Sequence, residues 1–188
     1  MTDVSGLNYV SNFLTNQECE SLLHYIDSMP WMTDLKRRVQ HYGYRYDYKL
    51  RAVDYSMYLG ELPFFISDIA DKLISRNLVS ERPDQAIVNE YLPGQGISAH
   101  IDCEPCFKDT IVTISLGWPY EMEFFTFKND EKNIKYIQLE VGSALVISGE
   151  ARYERFHQIR GRKKDHSIPR QRRVSLTFRN VILENTND

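Results

Sequence analysis

The chain has 188 residues, a formal net charge of −3, 42% hydrophobic residues and 26% charged residues. This length fits one domain with a substantial core, and the composition excludes an intrinsically disordered protein. No apolar run approaches the roughly 20 residues of a membrane-spanning helix, and the N-terminus has no apolar signal core, so we expect a cytoplasmic or nuclear protein. Because the net charge is slightly negative, any contact with nucleic-acid phosphates must come from local basic patches.

The chain contains three cysteines, Cys19, Cys103 and Cys106. An odd number of cysteines does not indicate a disulfide framework. Cys103 and Cys106 have the spacing of a zinc knuckle or a redox motif, but no second pair is present to complete four ligands. We therefore interpret them as two unlinked thiols in a loop.

Two amphipathic helices are predicted in the first half of the chain. Thr15 and Glu18 form a capping-box pattern, and apolar residues follow at helical spacing until Pro30. A second helix begins near Pro63, and its apolar stripe continues to Leu73. Both helices are expected to pack against the rest of the fold.

The remaining sequence favours strands, because short runs of β-branched and aromatic residues alternate with turn residues. The predicted strands span residues 37–48, 86–92, 97–102, 110–117, 122–127, 134–140, 143–148 and 172–181. Two helices followed by about eight strands predict a mainly β fold, a double-sheet barrel with flanking α-helices on one side.

The predicted strand 97–102 carries a possible metal-binding pair. The two-residue period of a strand places His100 and Asp102 on the same face. With a distant histidine, such a pair can supply the two-histidine, one-carboxylate triad that leaves positions open on a non-haem Fe(II). The pattern is weak by itself, because any two polar residues two apart on a strand share a face. His157, just beyond strand 143–148, is a better third ligand than His166, which lies in a charged loop.

The last predicted strand places two arginines and two hydroxyl residues on one face: Arg173, Ser175, Thr177 and Arg179. Buried guanidinium groups need anionic partners, and a dicarboxylate such as 2-oxoglutarate would supply them. The alternative is that this face is the solvated side of an edge strand. In strand 86–92, Asn89 and Tyr91 share a face and would offer neutral donors to the same anion.

Four segments together resemble the AlkB family of Fe(II)/2-oxoglutarate-dependent dioxygenases: NEYLPGQGISAHID (89–102), IVTISLG (111–117), SGEARYERFH (148–157) and RVSLTFR (173–179). The resemblance covers about 86–181 and implies a double-stranded β-helix, or jelly roll. It implies that His100, Asp102 and His157 are catalytic iron ligands. It also implies a co-substrate site in which Arg173 pairs with the distal carboxylate of 2-oxoglutarate, helped by Asn89 and Tyr91, and Arg179 and Ser175 serve the end nearer the metal. The family often has asparagine at the position of Ser175.

The resemblance implies that the protein uses Fe(II), 2-oxoglutarate and O₂ to hydroxylate a C–H bond, with a nucleic acid as substrate. We expect a monomer with a single domain over 1–188, made of a lid and N-terminal extension over about 1–85 and a catalytic jelly-roll core over about 86–181. Hydroxylation of an N-methyl group would release formaldehyde and the bare base.

The segment 35–48 resembles the family's nucleotide-recognition lid. It combines basic residues with tyrosines at positions 42, 44, 46 and 48, which would all share one strand face. Aromatic and basic groups suit a flipped base and its phosphates, so Arg38, Tyr42 and Tyr44 are candidate substrate contacts. The alternative is a tyrosine-rich sheet face packed on the first helix. The basic loop 160–173 would either meet a phosphate backbone or be a solvated surface.

These features predict oxidative demethylation of alkylated bases in DNA or RNA. One alternative is hydroxylation of a modified wobble uridine in transfer RNA, because the lid and the metal-binding segment look most like that branch. That branch usually carries an RNA-binding module and a methyltransferase domain, neither of which fits in 188 residues. Another alternative is a protein hydroxylase or demethylase on the same scaffold. A non-enzymatic cupin-like module is disfavoured because all three ligands and both arginines are present.

Overall fold

The computed structural model describes residues 4–33, 35–126 and 133–183. The strands in these ranges are β1 (Leu7–Val10), β2 (Val39–Tyr42), β3 (Gln85–Tyr91), β4 (Ile97–His100), β5 (Ile111–Leu116), β6 (Tyr120–Phe125), β7 (Lys135–Leu139), β8 (Ala144–Ile147), β9 (Phe156–Ile159), β10 (Lys164–Asp165), β11 (Ile168–Pro169) and β12 (Arg173–Arg179). The α-helices are α1 (Asn16–Ser28), α2 (Phe64–Ser75) and α3 (Gly149–Tyr153), with a short 3₁₀ turn over Tyr55–Met57.

The strands form two main antiparallel sheets. The major sheet has the order β1-β8-β5-β12-β3-β2, and the minor sheet has the order β4-β9-β6-β7. Apolar residues from both sheets pack together in one buried cluster, which includes Ile111 and Leu145 of the major sheet and Phe124 and Ile159 of the minor sheet. This double-stranded β-helix confirms the predicted mainly β jelly roll.

The two predicted helices form and cover one face of the major sheet. In α1 the Thr15 hydroxyl accepts from the Glu18 N–H at 3.2 Å, and the Glu18 carboxylate accepts from the Thr15 N–H at 2.7 Å, which completes the capping box. The apolar faces of α1 and α2 join residues of β12 and β5 in the largest core cluster. Each fully buried aliphatic side chain, such as Ile26 or Leu73, contributes roughly 2 kcal/mol. No helix in the described ranges is long and apolar enough to cross a membrane.

The alternation predicted for the last strand is confirmed by the packing of β12. Val174, Leu176 and Phe178 lie in the core under the helices. The alternate residues, from Arg173 to Arg179, line a cavity between the two sheets. The major sheet therefore has one face for stability and the other for the site.

The predicted strand over 37–48 is wrong beyond Tyr42. Gly43 has φ +74°, and a Cβ added there would lie 1.8 Å from the carbonyl oxygen of Asp84, so only glycine fits. After this bend the Arg45 N–H donates to the Met57 carbonyl at 2.9 Å, which pairs the chain with the 3₁₀ turn instead of with β3. The four tyrosines therefore do not share one strand face.

Other boundaries differ in smaller ways. β4 ends at His100, so Asp102 follows the strand instead of lying in it. Residue 127 of the predicted strand 122–127 lies outside the described residues. β1, β9 and α3 were not predicted, because segments of four or five residues are too short to show a period.

Candidate active site

Two histidines and one aspartate meet at the end of the minor sheet. β4 and β9 pair antiparallel with His100 opposite His157, and the centroids of their rings are 4.3 Å apart. Asp102 follows β4 by two residues, and its Oδ2 lies 3.5 Å from His157 Nε2. One ligand atom from each of the three residues lies within 4.8 Å of the other two. The structure thus brings together the three residues that the sequence singled out, whereas His166 is exposed on the β10–β11 turn.

A backbone contact fixes the orientation of the His100 ring. Its Nδ1 lies 2.8 Å from the carbonyl oxygen of Ser98, so this nitrogen donates and Nε2 is left as the nitrogen that could bind a metal. A hydrogen bond of this kind holds the tautomer of a metal-binding imidazole and raises its basicity. The donor set of two imidazoles and one carboxylate fits ferrous iron.

The electrostatics of the cluster suit metal binding. Burial alone would raise the pKa of Asp102, but the guanidinium of Arg179, 2.8 Å from its Oδ1, and the two histidines hold the pKa below its usual range. Burial and the neighbouring His100 lower the pKa of His157 to about 3. At neutral pH the cluster therefore contains an ionised carboxylate and a neutral His157 imidazole, which are the forms that bind a metal.

A buried cation lies on β12 in the same cavity. The Arg173 side chain is 1% exposed, and its Nη2 donates to the Ser115 hydroxyl at 2.9 Å. Its Nε and Nη1 are buried with no hydrogen-bond partner in the described part of the chain. The Arg173 guanidinium lies 5.3 Å from the centre of the Tyr91 ring, and burial lowers its pKa. An unpaired buried cation is costly, so this geometry fits a ligand that brings a carboxylate.

A second cation, Arg179, stands near the metal cluster. One guanidinium nitrogen contacts Asp102, while its Nε and Nη1 are buried without a partner among the described residues. The cavity has a volume of about 400 Å³, and Asn89, Ser175 and Thr177 line it alongside both arginines. Unpartnered donors on Arg173 and on Arg179 match the two anionic ends of a dicarboxylate such as 2-oxoglutarate.

Some residues that line the cavity, or that contact a residue lining it, were not identified from the sequence. Ser115 holds Arg173, and Arg37 donates its Nε to the Asn89 amide oxygen at 2.9 Å. Tyr48 and Arg51 also line the cavity. The alternation of β5 could have indicated Ser115. The path of the chain after Gly43 could not be predicted from local sequence. The orientation of Tyr48 therefore could not be predicted either.

The three candidate substrate contacts lie outside the cavity lining. The Tyr42 ring packs on Phe65 in the helix-side core, with ring centroids 5.8 Å apart. The Arg38 guanidinium pairs with the Glu90 carboxylate at 2.6 Å. The Tyr44 ring packs against Tyr58. The end of β2 accounts for the position of Tyr44, since the chain turns at Gly43, directly before it.

Cys103 and Cys106 form a disulfide, so the interpretation as unlinked thiols is wrong. The chain turns directly after Asp102 and brings the two Cα atoms to 5.3 Å, within the range that a disulfide spans. Both residues are buried beside Phe107. Cys19 is free and lies on the buried face of α1.

The basic loop 160–173 is largely neutralised by acidic partners. Arg162 pairs with Glu121, and Arg170 is buried against Asp165 at 2.6 Å. Further pairs of the loop are Arg162 with Asp165, Arg160 with Glu123, and Arg172 with Glu90 and Asp27. The exposed lysines at 163 and 164 and the half-exposed Arg160 side chain are cations that the loop presents to solvent.

Comparisons with known proteins agree with this geometry. The profile of the 2OG-Fe(II) oxygenase superfamily matches residues 8–179. An Arabidopsis thaliana protein, "Alkylated DNA repair protein ALKBH8 homolog", is 38% identical over 95% of this chain and 59% of its own length. The Mus musculus "tRNA (carboxymethyluridine(34)-5-O)-methyltransferase ALKBH8" is 37% identical over 85% of this chain. The chain spans only 25% of that mouse protein.

The solved structure of OsALKBH1 superposes on this chain with a TM-score of 0.71 and 21% identity, covering 93% of this chain and 96% of that one. This likeness shows a shared fold. Together with the match of the family profile over nearly the whole chain, it places the His-Asp-His cluster in an oxygenase scaffold. The chain therefore belongs to the 2OG-Fe(II) oxygenase superfamily and, within it, to the AlkB family of dioxygenases that use Fe(II), 2-oxoglutarate and O₂.

Proposed function

We propose that this chain oxidises a modified base in a nucleic acid. The first candidate reaction is the demethylation of alkylated bases in DNA or RNA. The observation that carries the proposal is a cavity that joins the cluster of His100, Asp102 and His157 to Tyr46 and Tyr48 of the lid segment and to the nearby Arg51. One side of the cavity suits a metal and a dicarboxylate. The other side suits a flat, stacked base.

His100, Asp102 and His157 would hold the iron, and the remaining positions on the metal would be left for the co-substrate and O₂. When bound, the iron supplies the oxidation of a C–H bond by O₂, coupled to conversion of 2-oxoglutarate to succinate and CO₂. The protein's own groups keep the Asp102 carboxylate ionised and the His157 imidazole neutral, and they would hold the reactants in one place.

The co-substrate would lie along β12 and β3. Arg173 would take the carboxylate farther from the metal, with Asn89 and Tyr91 as neutral donors, and Arg179 and Ser175 would lie at the nearer end. Ser115 keeps the Arg173 guanidinium in place, since its hydroxyl accepts from Nη2. Because every one of these groups is on a strand of the major sheet, the co-substrate would meet a rigid surface.

The substrate base would enter beside Tyr46 and Tyr48. Their ring centroids are 5.1 Å apart and their planes are nearly perpendicular, so the two rings pack edge to face. Both rings are half-buried and line the cavity, which leaves a partly dry aromatic surface for stacking. Arg51, which comes directly after the exposed Leu50, adds a cation at the same side of the cavity.

A second candidate is hydroxylation of a modified uridine in transfer RNA. The observation that favours it is the 37% identity with the mouse protein whose name includes a tRNA carboxymethyluridine activity. The chain covers a quarter of that protein, so the likeness bears on the oxygenase segment. Both candidates use the same metal and co-substrate residues and differ only in the base that the tyrosines receive.

The proposal is tested by mass spectrometry of nucleic acids treated with the purified protein, Fe(II), 2-oxoglutarate and ascorbate. Parallel reactions contain N-methylated DNA oligonucleotides, N-methylated RNA oligonucleotides and transfer RNA. Loss of a methyl group with release of formaldehyde supports demethylation, and gain of one oxygen on a modified uridine supports the second candidate. Succinate formation with a methylated peptide but with none of the nucleic acids would overturn the proposal and indicate a protein hydroxylase.

A further inference from the structure

A second fully buried arginine lies behind the metal cluster and does not face the cavity. Arg152 is on α3, five residues before His157, and its side chain is 1% exposed. In the described ranges no carboxylate forms an ion pair with it, and its Nε has no hydrogen-bond partner. A cation buried in this way is expensive, so a purely space-filling role would be better served by a leucine or methionine.

The guanidinium of Arg152 is satisfied by backbone carbonyls instead. Nη1 donates to the Asp102 carbonyl at 3.0 Å, and Nη2 donates to the Cys103 carbonyl at 3.0 Å and to the Phe107 carbonyl at 3.4 Å. These three acceptors belong to the segment that leaves β4 and carries the carboxylate ligand. A single side chain therefore fixes the peptide group of Asp102 and both ends of the loop that follows.

The position of α3 in the chain means that the contacts of Arg152 connect two ligand-bearing segments. α3 leads directly into β9, which carries His157, while the acceptors follow β4, which carries His100. Arg152 thus ties the segment before one histidine ligand to the segment after the other. The disulfide closes only the stretch from Cys103 to Cys106 and fixes neither Asp102 nor Phe107.

We propose that Arg152 is a positioning residue for the metal cluster, which holds the Asp102 carboxylate in register with His100 and His157 by fixing the peptide group of Asp102. This inference rests on the proposed ligand set. Arg179 acts on the Asp102 carboxylate itself, at 2.8 Å from its Oδ1, whereas Arg152 acts on the backbone of the same residue. Outer-sphere groups that orient a ligand typically account for about a 10- to 100-fold difference in metal affinity.

The test measures Co(II) binding to the oxidised, disulfide-containing protein by visible absorption titration, without 2-oxoglutarate or nucleic acid. We expect Arg152→Gln to weaken Co(II) binding at least about tenfold and to alter the shape of the Co(II) absorption spectrum. Arg152→Lys keeps the charge but cannot reach three carbonyls, so we expect an intermediate affinity. The matched control is Arg155→Gln, because Arg155 is on the same segment but donates to Thr126 and Glu150.

Thermal unfolding of each metal-free protein separates positioning from stability, and affinities are compared only between folded samples. Wild-type affinity and an unchanged spectrum in Arg152→Gln would overturn the inference, even if the melting temperature fell. Failure of both Arg152 variants to fold would also overturn it, because the role of Arg152 would then be general stability. If the wild-type protein bound no Co(II), the ligand assignment itself would fail, and that outcome is distinct from equal binding by wild type and variant.

Discussion

Arg173 shows, at the scale of a single residue, how the major sheet prepares a place for an anion. Its alternation with Val174 and Leu176 along β12 directs the guanidinium into the cavity while its neighbours fill the helix-side core. Its Nη2 donates to the Ser115 hydroxyl at 2.9 Å, while its Nε and Nη1 have no hydrogen-bond partner among the residues that the structure describes. The direction of this side chain could be predicted from the period of the strand, but its burial could not.

We expect Arg173→Lys to raise the KM for 2-oxoglutarate by about tenfold or more, with a smaller effect on kcat. A lysine keeps the charge but loses the planar, two-pronged contact with a carboxylate, which costs roughly 1.5–3 kcal/mol. Steady-state succinate formation at varied 2-oxoglutarate measures the change. Arg172→Lys is the control, because Arg172 pairs with Asp27 and Glu90 outside the cavity. Equal KM values for wild type and Arg173→Lys would remove Arg173 from the co-substrate site.

At the scale of elements, the lid segment is where local sequence was least informative. Alternating tyrosines predicted one long strand, but Gly43 ends β2 and the chain pairs with the 3₁₀ turn through contacts remote in sequence. The side chains that reach the cavity are therefore those at 46 and 48 instead of 42 and 44. In β3 and β12, by contrast, the strands pair regularly and keep the period of two. The side of the sheet on which each side chain lies could therefore be predicted from the sequence.

We expect Tyr48→Ala to raise the KM for the nucleic-acid substrate by about tenfold while leaving the KM for 2-oxoglutarate unchanged. Loss of one stacking partner costs roughly 1–3 kcal/mol per base. Initial rates at varied oligonucleotide and at varied 2-oxoglutarate give the two values separately. Tyr136→Ala is the control, because Tyr136 is a tyrosine on β7 that is 53% exposed. A variant whose KM changed for 2-oxoglutarate alone would place Tyr48 in the co-substrate site.

The β10–β11 hairpin depends on a buried ion pair. Asp165 accepts from Arg170 and Arg162, and although burial would raise the pKa of this carboxyl, the two guanidinium groups lower it below its usual value. The pKa of this carboxyl is lower in the folded protein than in the unfolded protein, where it is about 3.9. Its contribution to stability is therefore complete above about pH 3.9 and is lost as the pH falls from there through the folded pKa.

We expect Asp165→Asn to lower the free energy of unfolding by about 3 kcal/mol at neutral pH, because Arg170 is left buried without its partner. The difference from wild type should shrink once the pH falls below about 4. Urea unfolding of the metal-free proteins across this range measures it, with Asp68→Asn, an exposed aspartate on α2, as the control. A difference that stayed constant into the acid range would mean that Asp165 stabilises the hairpin without its charge.

At the scale of the whole molecule, the charges are arranged by tertiary pairing. The basic loop looked like a phosphate-binding surface, yet its arginines find acids on β3, β6 and α1, far away in sequence. Such partners cannot be read from a linear pattern. The family resemblance carried by the ordered set of short motifs, however, implied the jelly roll and the ligand set, and the structure brings His100, Asp102 and His157 together.

The most direct test of this account is the ratio of succinate formed to base oxidised in one reaction with Fe(II), 2-oxoglutarate and the preferred nucleic acid. We predict about one succinate for each oxidised base in the wild-type protein and neither product in His100→Ala, which lacks one metal ligand. Succinate and oxidised base in wild-type amounts from His100→Ala, or succinate in the wild type that never accompanies base oxidation, would contradict the account.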